Sequence, residues 1–195
     1  MVSKKKAAGL WAVLVSAVLI APPAGAGGKP NIVWDTSKKD KCTSSEKTTI
    51  TNALQWLIDN IGKVDKKMGK NGLKDWPGRS KKKFTKKLEK KLKFACVSER
   101  RRCQKSKDGS ILRGRVVPIL HQRRVTLCTN HLSGDAEYVS VIAHEIAHLV
   151  RLNKHRRKCK KKYEKPRFSQ SVGLAAFHAY EGTAYESADY MKYCS

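Results

Sequence analysis

The sequence predicts an α+β fold in which a small edge sheet packs against two functional helices, with a further helical part before them. Two observations predict this fold. Apolar residues recur at helical spacing in four stretches, which are residues 43–61, 80–98, 135–152 and 174–193. Two runs rich in β-branched residues lie between the second and third helices, at 111–120 and 123–128.

The first helix is predicted by its start signal and by its spacing. Thr43 and Glu46 stand in the relation of a capping box, in which each satisfies a backbone amide of the other. Apolar residues follow at three- and four-residue intervals: Ile50, Ala53, Leu54, Leu57, Ile58 and Ile61. Gly62 is expected to end the helix, and residues 27–41 before it are expected to form an extended lead-in.

The second helix is predicted over 80–98 from a narrow apolar stripe among lysines, namely Phe84, Leu88, Leu92 and Ala95. Two interpretations of its lysines stay open. They form either the solvated back of a core-facing helix or a contact surface for a polyanion. Residues 63–107 hold nineteen Lys or Arg against four acidic residues, so either interpretation concerns a strongly basic segment.

Two strands are predicted over 111–120 and 123–128, with His121 and Gln122 as the turn between them. Pro118 lacks a backbone N–H, which favours an edge position for the first strand. A helix is expected from about Asp135, with Ser133 or Asp135 as its cap. The basic residues 153–166 are expected to form a surface loop before the last helix.

Residues 1–26 have the pattern of a secretory signal peptide. Three consecutive lysines precede an apolar stretch over 10–21, and Ala24-Gly25-Ala26 supplies the small residues of a cleavage site. A transmembrane anchor is the alternative, but the stretch is shorter than the roughly 20 residues that a bilayer requires. We expect a secreted or periplasmic protein whose residues 27–195 form one domain, with a basic helical part at about 42–107 and a catalytic part at about 111–195.

The cysteines agree with export. All six follow the signal peptide, and they are Cys42, Cys96, Cys103, Cys128, Cys159 and Cys194. An even number in an exported chain indicates up to three disulfides, with fifteen possible pairings. A cysteine zinc site is the alternative, which the absence of any Cys-x-x-Cys pair disfavours.

The formal charge of +26 predicts salt-sensitive contact with polyanions or an anionic cell surface. The charge is unevenly distributed. No Lys or Arg occurs over 125–150, and Lys192 is the only one over 171–195. These two stretches also contain the candidate metal ligands. No interleaving of aromatic and basic residues indicates base stacking, so nucleic acid is indicated by charge alone.

The segment 139–150 contains His-Glu-x-x-His in an otherwise uncharged, apolar run. On a helix, His144 and His148 lie one turn apart on one face, so both imidazoles can reach one Zn²⁺ ion. Glu145 lies beside them, where a carboxylate can take a proton from metal-activated water. The alternative is an amphipathic helix whose histidines are ordinary residues at the edge of the core.

Catalytic zinc usually has three protein ligands, and the last helix offers Glu181, Glu186 and Asp189 as the third. Glu181 falls on a predicted core-facing stripe with Phe177, Ala184, Ala188 and Met191. A carboxylate on such a stripe requires a cation or a metal partner. Glu181 is therefore the predicted third ligand. His178, close to that stripe, is expected to be either a group supporting the site or a buried structural histidine.

Residues 141–150 resemble the signature of the zincin metallopeptidases. The segment Glu181-Gly182-Thr183-Ala184-Tyr185 resembles the Glu-Gly-x-Ala segment of gluzincins, which implies His144, His148 and Glu181 as ligands and Glu145 as general base. It also implies an oxyanion-stabilising tyrosine, Tyr180 or Tyr185. The Trp-Leu pair that often precedes Glu-Gly is absent. Leu127-Cys128 and the segment 187–190 are similar to aspzincins, whose third ligand is the aspartate of Gly-Thr-x-Asp. Gly182-Thr183 is present, but Tyr185 stands at the aspartate position, which favours Glu181 and leaves Asp189 as an alternative.

The sequence thus predicts a secreted zinc metalloendopeptidase with a protein or peptide substrate. Two alternatives stay open. The first is a non-catalytic, cationic protein that binds polyanions and has a zincin-like fold. The second is a hydrolase of cell-wall amides that uses the same zinc chemistry.

Overall fold

The computed structural model describes residues 28–37, 40–98, 103, 113–117, 124–151 and 168–185. Several predicted features lie outside these residues. They are the signal peptide, Pro118, the turn at 121–122, the basic loop at 153–166, Cys159, Cys194, Glu186 and Asp189. No helix in the described ranges is long and apolar enough to cross a membrane.

The sheet has four strands: β1 (Ile32–Trp34), β2 (Leu92–Val97), β3 (Gly114–Val117) and β4 (Arg124–Cys128). They lie in the order β1-β2-β4-β3. β2 pairs in parallel with both of its neighbours, whereas β3 and β4 pair antiparallel, with Val116 opposite Val125. The two strands predicted before the motif helix are confirmed, and β3 lies at an edge as expected.

Five α-helices accompany the sheet in the described part of the chain: α1 (Ser44–Asp59), α2 (Ile61–Lys67), α3 (Ser80–Leu88), α4 (Asp135–Arg151) and α5 (Phe168–Glu181). The α+β class is therefore confirmed. α4 lies at the centre of the helical layer, because it packs against α5, α1 and α3 and also contacts β3 and β4. Its residues Val139, Ile142 and Ile146 are fully buried in the main core.

The capping box that was predicted for the first helix is present. The Thr43 hydroxyl accepts from the Glu46 amide at 3.2 Å, and the Glu46 carboxylate accepts from the Thr43 amide at 2.7 Å. The predicted inner face is buried, with Ile50 and Leu57 fully enclosed. The helix begins at the residue that the capping box predicts. The box needs only Thr43 and Glu46, which lie close together in sequence, so it does not depend on distant parts of the fold.

The second predicted helix is correct only in its first half. α3 ends at Leu88, and Leu92–Val97 is the inner strand β2, so Leu92 and Ala95 belong to the sheet and not to a helical stripe. Five of the six residues of β2 are buried, as expected for a strand that is paired on both sides and covered on both faces. The basic N-terminal part is therefore not purely helical.

Three further boundaries differ from prediction. The lead-in at 27–41 contains the edge strand β1, and the short helix α2 includes Gly62. The last helix ends at Glu181, not at 193, and Gly182 follows with φ +71°. Glycine adopts this left-handed conformation without the steric cost of a Cβ atom, which is why it commonly ends helices.

A partly buried ion cluster holds β1 against the sheet. Arg124 on β4 reaches across β2 and donates to Asp35 at 2.8 Å and to Asp40 at 3.3 Å, and Lys93 lies 3.3 Å from Asp35. Burial opposes ionisation of Asp35, but hydrogen bonds from Ser37, Arg124 and Lys93 outweigh it and hold the pKa of Asp35 well below its usual range. The cluster thus keeps Asp35 charged within the fold.

Two disulfides are present, Cys42–Cys96 and Cys103–Cys128. The first joins the residue before the α1 cap to the inner strand β2. The second joins Cys103 to the end of β4. Both bear out the prediction that these cysteines are oxidised and structural.

Candidate metal centre

Helix α4 carries the His-Glu-x-x-His motif and is anchored at its N-terminal end. The Glu137 carboxylate accepts from the Ser133 amide at 2.8 Å and from the Ser133 hydroxyl at 3.1 Å. Arg113, directly before β3, donates to the other oxygen of Glu137 at 2.7 Å. The start of the motif helix is thereby tied to the edge strand, and the apolar residues after Glu137 pack it into the core.

The two histidines of the motif converge. The Nε2 atoms of His144 and His148 lie 3.1 Å apart, and both side chains are partly exposed. Two nitrogens bound to one tetrahedral zinc at about 2.0–2.1 Å would be roughly 3.3 Å apart, so the pair needs little adjustment to bind one ion. Without metal, the same contact is a hydrogen bond between a protonated and an unprotonated ring nitrogen.

Glu145 lies on the inner side of α4, with only 4% of its surface exposed. Its carboxyl group accepts a hydrogen bond from the backbone amide of Val116 on β3. Burial raises the pKa of Glu145 to about 8, and the Val116 amide opposes only part of that rise. The carboxyl is therefore held in one place by the edge strand, in surroundings that favour its protonated form when no cation is near.

Gly114 permits this close approach of β3 to the motif helix. A Cβ atom at Gly114 would lie 2.7 Å from Cγ1 of Val141 and 3.1 Å from Oε1 of Glu145. Neither distance leaves room for a side chain without movement of the strand or the helix. The sequence held a weak signal of this, because an isolated glycine inside a predicted strand often marks a close backbone contact.

Gly173 plays the matching part on α5. Its carbonyl accepts from the Ser140 hydroxyl at 3.0 Å, and a Cβ atom at Gly173 would lie 3.1 Å from Cβ of His144. The Cβ atom of His144 therefore packs closely against the backbone of α5. Neither Ser140 nor Gly173 was identified from the sequence, since helical spacing does not show where two helices touch.

We expect Gly173→Ala to weaken zinc binding about tenfold, because the added methyl group would push His144 away from its partner by a few tenths of an ångström. Competition with a chromogenic chelator measures the zinc dissociation constant. Gly62→Ala is the matched control, since Gly62 is also helical and a Cβ atom there meets nothing within 4 Å. Equal zinc affinities in the two variants would show that the contact at Gly173 does not position His144.

The structure does not bring Glu181 to the two histidines. Helices α4 and α5 run antiparallel, because Gly173 lies against His144 whereas Tyr180 hydrogen-bonds Asp135 at the start of α4. Asp135 and His148 are thirteen residues apart, which is roughly 20 Å along a helix. Glu181 is exposed beside the Asp135 end, and no group of three metal-binding side chains in the described residues contains it.

The two tyrosines that the gluzincin resemblance implies as oxyanion stabilisers both make packing contacts with other aromatic rings. Tyr180 packs against Trp56, with ring centroids 5.1 Å apart, and burial together with the charges of Asp135 and Glu181 raises its pKa. Tyr185 is buried against the His178 ring at 5.6 Å. Tyr180 lies at the Asp135 end of α4, away from the histidine pair.

His178 has the environment of a structural histidine. It is buried, and its Nδ1 atom lies 2.8 Å from the Thr183 hydroxyl, which ties the residues after α5 back to the helix. This contact supports the interpretation of His178 as a buried structural residue.

A second group of side chains is close enough to hold a metal ion of unknown identity: Cys42, Glu46 and Cys96. The two sulfur atoms are joined in a disulfide, and Glu46 completes the α1 capping box. Metal binding by cysteine requires the thiolate form, so this group would serve only after reduction.

Comparisons with protein-family models, with curated proteins and with solved structures find no match for this chain. The geometry of the motif helix is therefore the principal support for a functional proposal.

Proposed function

We propose that the protein is a zinc-dependent metallopeptidase. The observation that carries the proposal is the convergence of the His144 and His148 Nε2 atoms, 3.1 Å apart, one residue away from a buried carboxyl on the same helix. Imidazole nitrogens are preferred zinc ligands, and the spacing of these two suits adjacent positions of a tetrahedral ion. Their partial exposure leaves a path for the metal and the substrate.

In the proposed reaction, bound zinc supplies a Lewis acid that makes water nucleophilic near neutral pH. Glu145 accepts a proton from the attacking water on a carboxylate oxygen. It then delivers that proton to the departing amine of the cleaved peptide. The Val116 amide fixes the carboxyl during both transfers, and the proximity of a metal cation favours the ionised form that the first transfer requires.

The third ligand is proposed to lie after α5. The gluzincin resemblance assigns this role to Glu181, but its exposed position at the Asp135 end of α4 speaks against that assignment. The two alternatives, Glu186 and Asp189, both lie outside the described residues. Loss of zinc in Asp189→Ala but not in Glu181→Ala would assign the third ligand to Asp189, and the reverse result would restore Glu181.

Export to an oxidising compartment fits the same proposal. The two disulfides are of the kind that persist in secreted or periplasmic proteins. The predicted signal peptide agrees with this, and the high positive charge would concentrate the enzyme on an anionic cell surface or polymer. A protein or peptide at that surface is the proposed substrate.

A non-catalytic polyanion-binding protein is the second candidate. It is favoured by the separation of Glu181 from the histidine pair and by the abundance of exposed lysines on α2 and α3. Hydrolysis of cell-wall amides is a variant of the first candidate, because the same residues would act on any amide bond.

Zinc content and hydrolysis, measured together, test the proposal. We expect the metal-stripped protein to take up one equivalent of zinc and to cleave casein, and we expect His148→Ala to lose both properties. His131→Asn is the control, because His131 lies before the motif helix and its Nε2 atom contacts the Cys103 carbonyl. If the protein takes up one equivalent of zinc but cleaves neither casein nor cell-wall peptide, the peptidase proposal fails and the non-catalytic polyanion-binding protein remains. Absence of zinc uptake would reject both zinc-dependent candidates.

A further inference from the structure

A carboxylate side chain lies next to the Cys42–Cys96 disulfide. The sulfur atoms of Cys42 and Cys96 and a carboxylate oxygen of Glu46 all lie within 4.8 Å of one another. No other group of three metal-binding side chains is this close together in the described residues. The group is one reduction step away from a metal site, because cysteine binds metals as the thiolate and a disulfide has none.

The structural role of Glu46 uses only one of its two carboxylate oxygens. Oε2 accepts hydrogen bonds from the Thr43 amide at 2.7 Å and from the Thr43 hydroxyl at 3.0 Å. Oε1 accepts none from the residues that the structure describes. Glu46 can therefore bind a cation through Oε1 and keep the capping box at the start of α1 intact.

Backbone contacts hold the two cysteines together independently of the bridge. The Cys96 amide donates to the carbonyl of Asp40, two residues before Cys42, at 3.1 Å. The Asp40 carboxylate in turn accepts from Arg124 on β4 at 3.3 Å. Cys96 also lies in the inner strand β2, which is paired on both sides. Reduction would break the S–S bond and none of these contacts, so the two thiols would stay side by side.

The chemistry of the group selects a zinc-like ion. Cys42 directly precedes the N-cap of α1, where the positive end of the helix dipole favours a thiolate. Two thiolates and one carboxylate suit zinc and disfavour magnesium or calcium, which prefer oxygen ligands. Two sulfurs on one tetrahedral zinc are roughly 3.8 Å apart, which fits within the 4.8 Å spread of the group. Glu46 is partly exposed and leaves a path for the ion.

We propose that the reduced chain binds one Zn²⁺ through Cys42, Cys96 and Glu46, and that this zinc and the disulfide are alternative states of one site. A dithiol supplies the two electrons and two protons that convert the bridge to two thiols, and is itself oxidised to a disulfide. Zn²⁺ then displaces both thiol protons. Three protein ligands leave the fourth position for water. Bound zinc keeps the thiols from re-forming the bridge until the ion is removed.

This site is separate from the histidine pair. Burial, together with the charges of Glu46 and Asp135, raises the pKa of Tyr138, so Glu46 lies near the start of α4. Tyr138 and His148 are ten residues apart, which is roughly 15 Å along the helix. Zinc at the cysteines therefore requires neither the motif nor the proposed peptidase activity.

Zinc uptake by the full chain in its two redox states tests the proposal. One sample is kept oxidised, and the other is reduced with a phosphine that is removed under nitrogen before zinc is added. We expect the reduced protein to bind one equivalent more than the oxidised protein and to melt at a higher temperature with zinc than without it. Cd²⁺ in place of zinc should give the ultraviolet charge-transfer band of thiolate ligands.

Two pairs of variants locate the additional zinc. Cys42→Ala/Cys96→Ala should lose it, whereas Cys103→Ala/Cys128→Ala should keep it, since no metal-binding group in the described residues contains either of the latter cysteines. Glu46→Gln should weaken it at least tenfold and still fold, because glutamine also serves in a capping box. Glu89→Gln is the matched control, since it removes the same charge from an exposed position outside the group, and it should weaken binding less than threefold.

Equal zinc uptake by the oxidised and reduced proteins would overturn the proposal. An additional equivalent that persists in Cys42→Ala/Cys96→Ala would also overturn it, and so would equal zinc affinities in Glu46→Gln and Glu89→Gln. Glu46→Gln retains both bridges, so it tests the site even if the double alanine variant does not fold. Failure of the histidine pair to bind zinc would lower the uptake of both redox states equally, so the difference between them is independent of the peptidase proposal.

Discussion

Glu145→Gln should lower kcat/KM for a peptide substrate by about 10³-fold while the protein still binds one equivalent of zinc. The amide has the shape of the carboxyl and can still accept the hydrogen bond from Val116, but it cannot take up a proton. Positioned general acids and bases contribute about 10²–10⁴-fold, which sets the size of the expected loss. Steady-state kinetics on a fluorogenic peptide and zinc analysis of the same samples measure the two quantities.

The control for this substitution is Glu137→Gln on the same helix. Glu137 is bonded to Ser133 and Arg113 near the start of α4, so its neutralisation should affect stability more than turnover. Glu145→Gln should not lower the free energy of unfolding, because it replaces a buried carboxyl whose pKa is already raised by burial. Full activity in Glu145→Gln would exclude Glu145 as the general base.

The parts of the fold that follow from local signals were predictable. The capping box of α1, the helical register of α4 and the antiparallel pair β3–β4 each depend on residues close together in sequence. The proximity of His144 and His148 follows from the same cause, since one turn of helix places both on one face. Sequence reasoning therefore reached the two histidines and the neighbouring Glu145.

The parallel part of the sheet was not predictable from the same signals. β1 and β2 are separated by about sixty residues, and neither carries the alternation that marks a half-exposed strand. A short, fully buried run such as Leu92–Val97 can be mistaken for the continuation of a helical stripe. The second predicted helix was extended into β2 for that reason.

Glu181 illustrates a second limit. Helical spacing gives the face on which a residue lies, but it does not give the direction of the partner helix or the height at which the two meet. Helices α4 and α5 run antiparallel, and Gly173 contacts His144. Glu181 therefore lies near Asp135 and not near the histidine pair. Gly114 and Gly173, which shape the surroundings of the motif, are likewise visible only when the packed neighbours are known.

Removal of the Cys42–Cys96 disulfide should cost the largest share of stability of any change considered for this fold. The bridge closes a separation of 54 residues, for which the loss of chain entropy in the unfolded state is worth about 4 kcal/mol. We expect Cys42→Ala/Cys96→Ala to lower the free energy of unfolding by about that amount in urea titrations. Alanine avoids leaving a hydroxyl group in two buried positions.

Cys103→Ala/Cys128→Ala is the internal comparison, because that bridge closes only 25 residues. The logarithmic dependence on loop length predicts a loss smaller by about 0.7 kcal/mol. Zinc affinity in either variant should match that of the parent below the unfolding transition, since neither bridge includes a residue of α4. A loss of zinc binding in the folded Cys42→Ala/Cys96→Ala variant would instead show that the bridge holds α1, and through it the motif helix, in place.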